Sequence, residues 1–389
     1  MNEKNEVCVG FDVGKHTHQA CAVSRVTGEI LFNVSLENRE EAIDLILTKV
    51  GPHALVVVDQ INNIGSLVVK RARLANMNVE YLPGLAMKRA RDMFCGIAKT
   101  DKIDAEVIAR TAIGMPHTLR PVAQFSQTDE DVRLLSSQSK YYTKSITQAK
   151  NRIRATLLEA DPEFESMINL QLKWHIGVLS AFGDANGIIV AGKRAYRNIV
   201  IKKYKANIEE ADKLWDSAFK SSKSDNTPSF ARSSIVKMLA SKILDELRMV
   251  DNLESQIKDL LKDHHVYSCL LTIPGIGHKS ASILVALIDI TQFSSHDQLA
   301  SYTGLAPKNR QSGSSINSVC SAKTGNKELK NLLIFSCTSL IGTKNYYGQY
   351  YAACKERGMA HGMALKAVAR KRLKVIFAVM RDACPYVQA

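Results

Sequence analysis

No run of about 18 apolar residues occurs in this 389-residue chain, so the sequence predicts no membrane-spanning helix. Residues 1–6 are polar and lack the apolar stretch of a secretion signal. The eight cysteines are scattered and none forms a C-x-x-C pair, which argues against both a zinc site and a disulfide framework. These absences together predict a protein of the reducing cytoplasm. Acidic residues are also in short supply, 38 against 52 lysines and arginines. The resulting net charge of +14 predicts a polyanionic partner, nucleic acid before any other. The length suits two or three domains with sizeable cores.

Residues 7–15 (VCVGFDVGK) read as a buried strand ending in a carboxylate, Asp12, with Gly14 opening the turn beyond it. Runs at 18–24 and 29–34 follow at hairpin spacing. A helix over 39–49 precedes a second buried strand at 54–60 (ALVVVDQ), again with an acid, Asp59, at its end. A helix over 67–75 and a strand over 79–82 continue the alternation. An α/β sheet with ligands at the carboxyl ends of its strands is expected. Residues 99–110 (KTDKIDAEVIAR) start a helix at Thr100 or Asp101 and put Asp101 and Asp104 on one face. Such a pair can complement the helix dipole. With Asp12 and Asp59 at strand ends, a shared divalent cation is the sharper reading.

The second part of the chain reads as mainly helical. A long helix over 129–159 carries Lys140, Lys144, Lys150, Arg152 and Arg154, a rail for a phosphate backbone or an ordinary solvated face. Residues 160–230 give no clear pattern apart from a polar linker at 221–228. A second long helix over 233–264 keeps an apolar stripe in steps of three and four from Ile235 to Leu260, as in a helical hairpin or coiled coil. At 270–281 (LLTIPGIGHKSA) a tight turn between two helices has the form of a helix-hairpin-helix, with Gly275, Gly277 and Lys279 placed to meet a backbone phosphate. Residues 307–315 read as a basic, Ser/Gly-rich loop in which Lys308 and Arg310 flank an accessible serine. Helices over 327–341 and 363–382 close the chain, the last with a basic face of Lys366, Arg370, Lys371, Arg372 and Lys374.

In combination, FDVGK, VVVDQ, KTDKIDA, IPGIGHKS, GLAPKNRQSGSS and KTGNKELKN resemble the transposases of the IS110 family of insertion sequences, kin of Piv-type DNA invertases. The resemblance covers most of the chain. It implies an RNase H/RuvC-like DEDD domain over 1–125, a long-helix, coiled-coil-like region over 126–265, and a helical, serine-bearing transposase domain with a helix-hairpin-helix over 266–389. Carried over residue by residue, the metal-binding acids fall on Asp12, Asp59, Asp101 and Asp104, and the nucleophile on Ser312, with Ser314 and Ser315 as fallbacks. The family commonly has Glu as its second acid. Here the strand ends Asp59-Gln60, and Asp59 is taken because a neutral amide is the poorer Mg²⁺ ligand. The resemblance further implies Mg²⁺ as cofactor and double-stranded donor and target DNA as substrates. It implies a noncoding bridge RNA as guide, and a homo-oligomer, a dimer that becomes a tetramer in synapsis. It places the protein in the prokaryotic cytoplasm, at the nucleoid. Nucleic-acid contacts are expected at Gly275, Gly277, Lys279, Lys308 and Arg310. The competing expectation is a RuvC-like junction nuclease that uses the same acids without a covalent link.

Overall fold

The computed structural model describes residues 6–94, 100–123, 126–223, 229–312, 316–321, 325–342 and 345–387, with side chains from 308 to 324 outside the description. The chain divides into two compact units, Met1–Gln124 and Phe125–Ala389.

The first unit is built on a mixed sheet. Its elements run β1 (Val7–Asp12), β2 (Thr17–Ser24), β3 (Ile30–Glu37), α1 (Glu40–Val50), β4 (Leu55–Val58), α2 (Ser66–Leu74), β5 (Asn78–Tyr81), α3 (Gly84–Met93), α4 (Asp101–Gly114) and β6 (Arg120–Pro121). The strand order is β3-β2-β1-β4-β5-β6. β1, β2 and β3 form an antiparallel meander, while β4 joins β1 in parallel and β5 joins β4 in parallel. Both faces of the sheet are covered, which is why β4 is apolar at every position. Val9, Phe11, Val56 and Val58 pack with Ile43 and Ile46 of α1 and Val68 and Ala72 of α2. Cys8, Cys21, Leu55 and Val57 pack with Ala105, Ile108 and Ala109 of α4.

The second unit is mostly helical. It runs α5 (Gln127–Ala160), α6 (Pro162–Met167), α7 (Lys173–Phe182), α8 (Ala185–Arg197), α9 (Ile208–Ser221), α10 (Phe230–Leu260), α11 (His265–Leu271), α12 (His278–Leu287), α13 (His296–Tyr302), β7 (Pro307–Ser312), β8 (Ile316–Ser321), α14 (Lys327–Phe335), α15 (Tyr346–Glu356) and α16 (His361–Asp382). A capping box between Ser126 and Asp129 starts α5. α5 and α10 pack along each other, and between them Ser145 Oγ donates to Glu246 Oε1 at 2.8 Å. Two hydrophobic clusters share this pair of helices. One gathers Ile153 and Leu157 of α5, Leu179 of α7 and Ile243 of α10. The other gathers Val132 of α5, Ile257 of α10 and the apolar faces of α11, α12 and α16. The stripe of α10 is buried at Ile243 and Ile257 but emerges at its ends, Ile235 and Leu260.

Three expectations need correction. Residues 307–315 do not begin as a loop, because β7 and β8 form an antiparallel hairpin in which Ser312 pairs with Ile316. The C-terminal part, expected to be helical, therefore also contains a small sheet. In sequence β7 is polar after Pro307, and the apolar residues of β8, Ile316, Val319 and Cys320, do not alternate strictly, so no period-two apolar pattern marked the strands. The helix read over 327–341 ends at Phe335. The basic face read on α16 is not a single free surface: Arg372 is 1% exposed, Arg370 pairs with Asp297 at 3.2 Å, and Lys371 lies over the rings of Tyr346 and Tyr350.

Candidate active site

Asp12 closes β1, and Asp59 follows β4, the parallel neighbour of β1. Asp59 Oδ1 accepts from the backbone N–H of Val13 at 3.3 Å, which ties the second acid to the residue after the first. Asp101 is the first residue of α4, started by Thr100, whose side chain accepts from the N–H of Ile103. One turn on, Asp104 is buried at 8% exposure. Its Oδ2 lies 3.2 Å from Arg91 Nη1 of α3, and its Oδ1 has no partner.

These acids feel one another. Burial comes first, then the charges of Asp59, Asp104 and Asp101, and together they push the Asp12 carboxyl up to about 7 against the opposing pull of Arg91. Burial also raises Asp59, opposed by the hydrogen bond from Val13. Among the described residues no three acidic, histidine or cysteine side chains are gathered as a ready metal cage. The chemistry of the set nevertheless fits a hard divalent cation. The donors are all carboxylate oxygens, one of them buried and unpartnered, and their charges are in mutual conflict.

Two features set α4 against the sheet. Gly10 of β1 lies where an added Cβ would meet the Ala105 carbonyl oxygen and the Ala109 nitrogen, each at 2.6 Å, so α4 touches the strand backbone there. Asn33 of β3 donates to the Lys102 carbonyl in the first turn of α4 at 2.9 Å and accepts from Gln19 at 2.6 Å. Gln19 stands opposite Asp12 in the β1–β2 register. Beside Asp12 and Asp101 a cavity of about 180 Å³ is lined by Gly14, Thr17, His18, Gln19 and Ser35. Burial lowers the His18 pKa, opposed by the hydrogen bond with Asn38: Nδ1 accepts from Gly14 N–H, and Nε2 lies 3.0 Å from Asn38 Oδ1. Arg91, Gln19, Asn33 and His18 were not singled out from sequence. Gly10 carried the signal of a glycine inside an apolar strand.

In the second unit, Ser312 ends β7, with its side chain outside the described residues, as are Ser314 and Ser315 altogether. The backbones of Lys308 and Arg310 sit in β7 opposite Cys320 and Ser318, and their side chains are likewise outside the description. Gly275 lies in the turn between α11 and α12 at φ +75°, where a side chain would be strained. Gly277 caps α12, and Lys279 Nζ reaches Glu254 Oε1 of α10 at 3.5 Å. Of the proposed basic rail on α5, Lys140 pairs with Glu328 and Arg154 with Glu165. Among the described residues no helix is long and apolar enough to cross a membrane.

Comparison with known proteins places both units. Residues 9–162 match the DEDD_Tnp_IS110 transposase family, and residues 267–352 match the transposase IS116/IS110/IS902 family. A protein of insertion element IS110 from Streptomyces coelicolor is 33% identical, with 98% of this chain and 95% of that protein covered. A protein of insertion element IS900 from Mycobacterium paratuberculosis is 25% identical, with 98% and 97% covered. The pilin gene-inverting protein of Moraxella bovis is 36% identical over 126 residues, covering 32% of this chain and 39% of the relative. On these matches, the chain belongs to the IS110 family of insertion-sequence transposases.

Proposed function

We propose that this transposase cuts and rejoins DNA through a covalent phosphoserine at Ser312, and that Asp12, Asp59, Asp101 and Asp104 hold Mg²⁺. The observation that carries the reading is the carboxylate conflict around Asp12, raised to about 7 by burial and by three neighbouring acids. A divalent cation relieves such a conflict. When bound, Mg²⁺ supplies positive charge that neutralises a phosphate. The order β3-β2-β1-β4-β5, with its antiparallel meander and parallel second half, supports an RNase H/RuvC-like first domain over 1–125. The regions 126–265 and 266–389 form the helical middle and the serine-bearing domain.

Ser312 Oγ gives up its proton, bonds to the scissile phosphorus and displaces a sugar oxygen, which leaves as a hydroxyl. A sugar hydroxyl of the second strand then attacks the phosphoserine, restores a diester and frees the serine. The phosphoester link is retained throughout, so rejoining needs no ATP. The turn at Gly275, Gly277 and Lys279, with Lys308 and Arg310, contacts nucleic-acid backbone. The net charge of +14 supports this role. The inversion named for the Moraxella relative supports recombination as the outcome. Donor and target sequences are chosen by pairing with a noncoding bridge RNA, which leaves backbone and shape to the protein. The working species is a homo-oligomer.

Incubation with DNA, guide RNA and Mg²⁺ followed by denaturation tests the reading. A protein–DNA adduct mapping to Ser312 is expected. Ser312→Ala should abolish adduct and cleavage while DNA binding persists. Cleavage that survives in Ser312→Ala without an adduct would establish the water-attacking junction nuclease instead.

A further inference from the structure

Arg372, in the middle of α16, is 1% exposed, and its hydrogen bonds run to neutral acceptors. Nη1 donates to the Ser336 carbonyl at 2.9 Å and to Ser336 Oγ at 2.8 Å, and Nη2 donates to the Pro274 carbonyl. Nε has no partner. Among the described residues no carboxylate pairs with this guanidinium. Burying a charge without a counter-charge is among the costliest placements a side chain can take. Arginine, unlike lysine, does not escape it by losing its proton. The stripe that holds Arg372 is otherwise apolar, with Val368, Ala369, Leu373 and Ile376 beside it. Leucine or methionine would suit the packing, so the charge calls for a use.

The guanidinium lies under the turn that joins α11 to α12. Because the Pro274 carbonyl points in toward Nη2, the N–H of Gly275 points the opposite way across the same planar trans peptide. A Cβ on Gly275 would stand 3.0 Å from the Ser336 carbonyl oxygen and 3.1 Å from Arg372 Nη2, so Gly275 is pressed against the arginine's own cradle. Among the described residues, the N–H groups of Gly275, Gly277, His278 and Lys279 donate to no acceptor. The last three stand at the start of α12, a helix of ten residues. Successive free N–H groups on a turn and a helix N-terminus make a concavity for an anion.

We infer that Arg372 is the positioning residue of a phosphodiester seat on this turn. It draws the Pro274 carbonyl inward, which aims the Gly275 N–H outward, and its buried charge is answered by the phosphate. The inference rests on the reading of the turn as a nucleic-acid contact. It adds that the counter-charge missing inside the fold comes from the bound strand.

The test uses the full chain and a labelled mixed-sequence DNA duplex, with affinity measured across a salt series. Arg372→Gln keeps two N–H donors for the carbonyls and removes the charge. Arg372→Lys can carry the charge again once a bound phosphate answers it. Lys279→Ala reports on the turn itself. Arg372→Gln, folded by circular dichroism, should bind at least about tenfold more weakly with a shallower salt slope. Arg372→Lys should stay within a few-fold of wild type. Wild-type affinity and slope in folded Arg372→Gln, with Lys279→Ala weakened, would overturn the role of Arg372 alone. No change in either variant would remove the turn as a contact and the inference with it. In the wild type, where folding of a variant is not at issue, the Arg372 Nε–H resonance should shift on titration with the duplex. A resonance that stays in place while the amides of Gly277 and Lys279 move also overturns the assignment.

Discussion

Arg91 Nη1 lies 3.2 Å from Asp104 Oδ2, so the cation inside the carboxylate cluster is a side chain of α3. Arg91 lowers the cost of gathering the acids without replacing a metal, since Asp104 Oδ1 is still unpartnered. The side chains are 27% and 11% exposed, between the surface and the fully buried regimes. Arg91→Ala should therefore destabilise the metal-free protein by about 2 kcal/mol. Mg²⁺ should restore most of that loss. Thermal unfolding in chelator and in Mg²⁺ measures both, and an equal loss in the two conditions would separate Arg91 from the metal site.

His175 of α7 gives a pH dependence of its own. It is buried, its Nδ1 accepts from the N–H of Asn169 at 3.1 Å, and desolvation lowers its pKa from 6.5 to about 4. The folded ring resists a proton that the unfolded chain takes up below about 6.5. Stability from this residue is thus complete above that pH and is lost as pH falls from 6.5 toward 4. The full loss is about 3 kcal/mol. His175→Gln keeps an acceptor that does not titrate. Urea unfolding between pH 7 and 4 should show a flatter profile in the variant, and an unchanged slope would refute the assignment.

Glu254 and Lys279 are 39% and 56% exposed and 3.5 Å apart. A pair this exposed is worth at most about 1 kcal/mol, so releasing it changes affinity by no more than about fivefold. Glu254→Gln should tighten binding to a mixed-sequence duplex within that limit, by freeing the lysine and removing a negative charge. Lys279→Ala should weaken binding and reduce the salt slope by about one. If Glu254→Gln weakens binding at every salt concentration, the carboxylate belongs to the contact and does not restrain it.

Much of the first unit was legible because its sheet is buried on both faces. Continuous apolar strands such as β4 announce themselves, and an acid at the end of such a run stands out. The three-residue spacing of Asp101 and Asp104 was readable too, and α4 carries both in its first turn. α3 was not, because its sequence is rich in arginine and lysine and buries only Ala90, and Arg91 went unread with it. Arg372 was hidden for the opposite reason. Lys371 and Lys374 around it read as one basic face, although its own position falls in register with Val368, Leu365 and Ile376. The hairpin of β7 and β8 carries no strictly alternating apolar pattern in its sequence for a reading to follow. The proposed nucleophile, Ser312, and the proposed metal-binding acids lie far apart in sequence, and family likeness alone joined them in one proposal.

Gly10 offers the sharpest test of how α4 delivers its acids. Glycine inside a strand ordinarily costs about 0.5–1 kcal/mol relative to alanine, so Gly10→Ala in an open strand would stabilise. Here a Cβ would stand 2.6 Å from both the Ala105 carbonyl oxygen and the Ala109 nitrogen, and both are backbone atoms of a packed helix. Backbone cannot swing aside as a flexible side chain can, so α4 must move off the sheet. Overpacking of this kind costs about 1–3 kcal/mol. The sign of the stability change therefore decides between the two effects. Gly10→Ala should unfold at lower urea with an unchanged m-value. It should also exchange the amides of the first turns of α4 faster than wild type. Because Asp104 lies next to Ala105, the displaced helix should bind Mg²⁺ more weakly and cleave DNA more slowly, with partial rescue at high Mg²⁺. A Gly10→Ala protein that is more stable than wild type and keeps its Mg²⁺ affinity would mean that α4 does not depend on this contact to place Asp101 and Asp104.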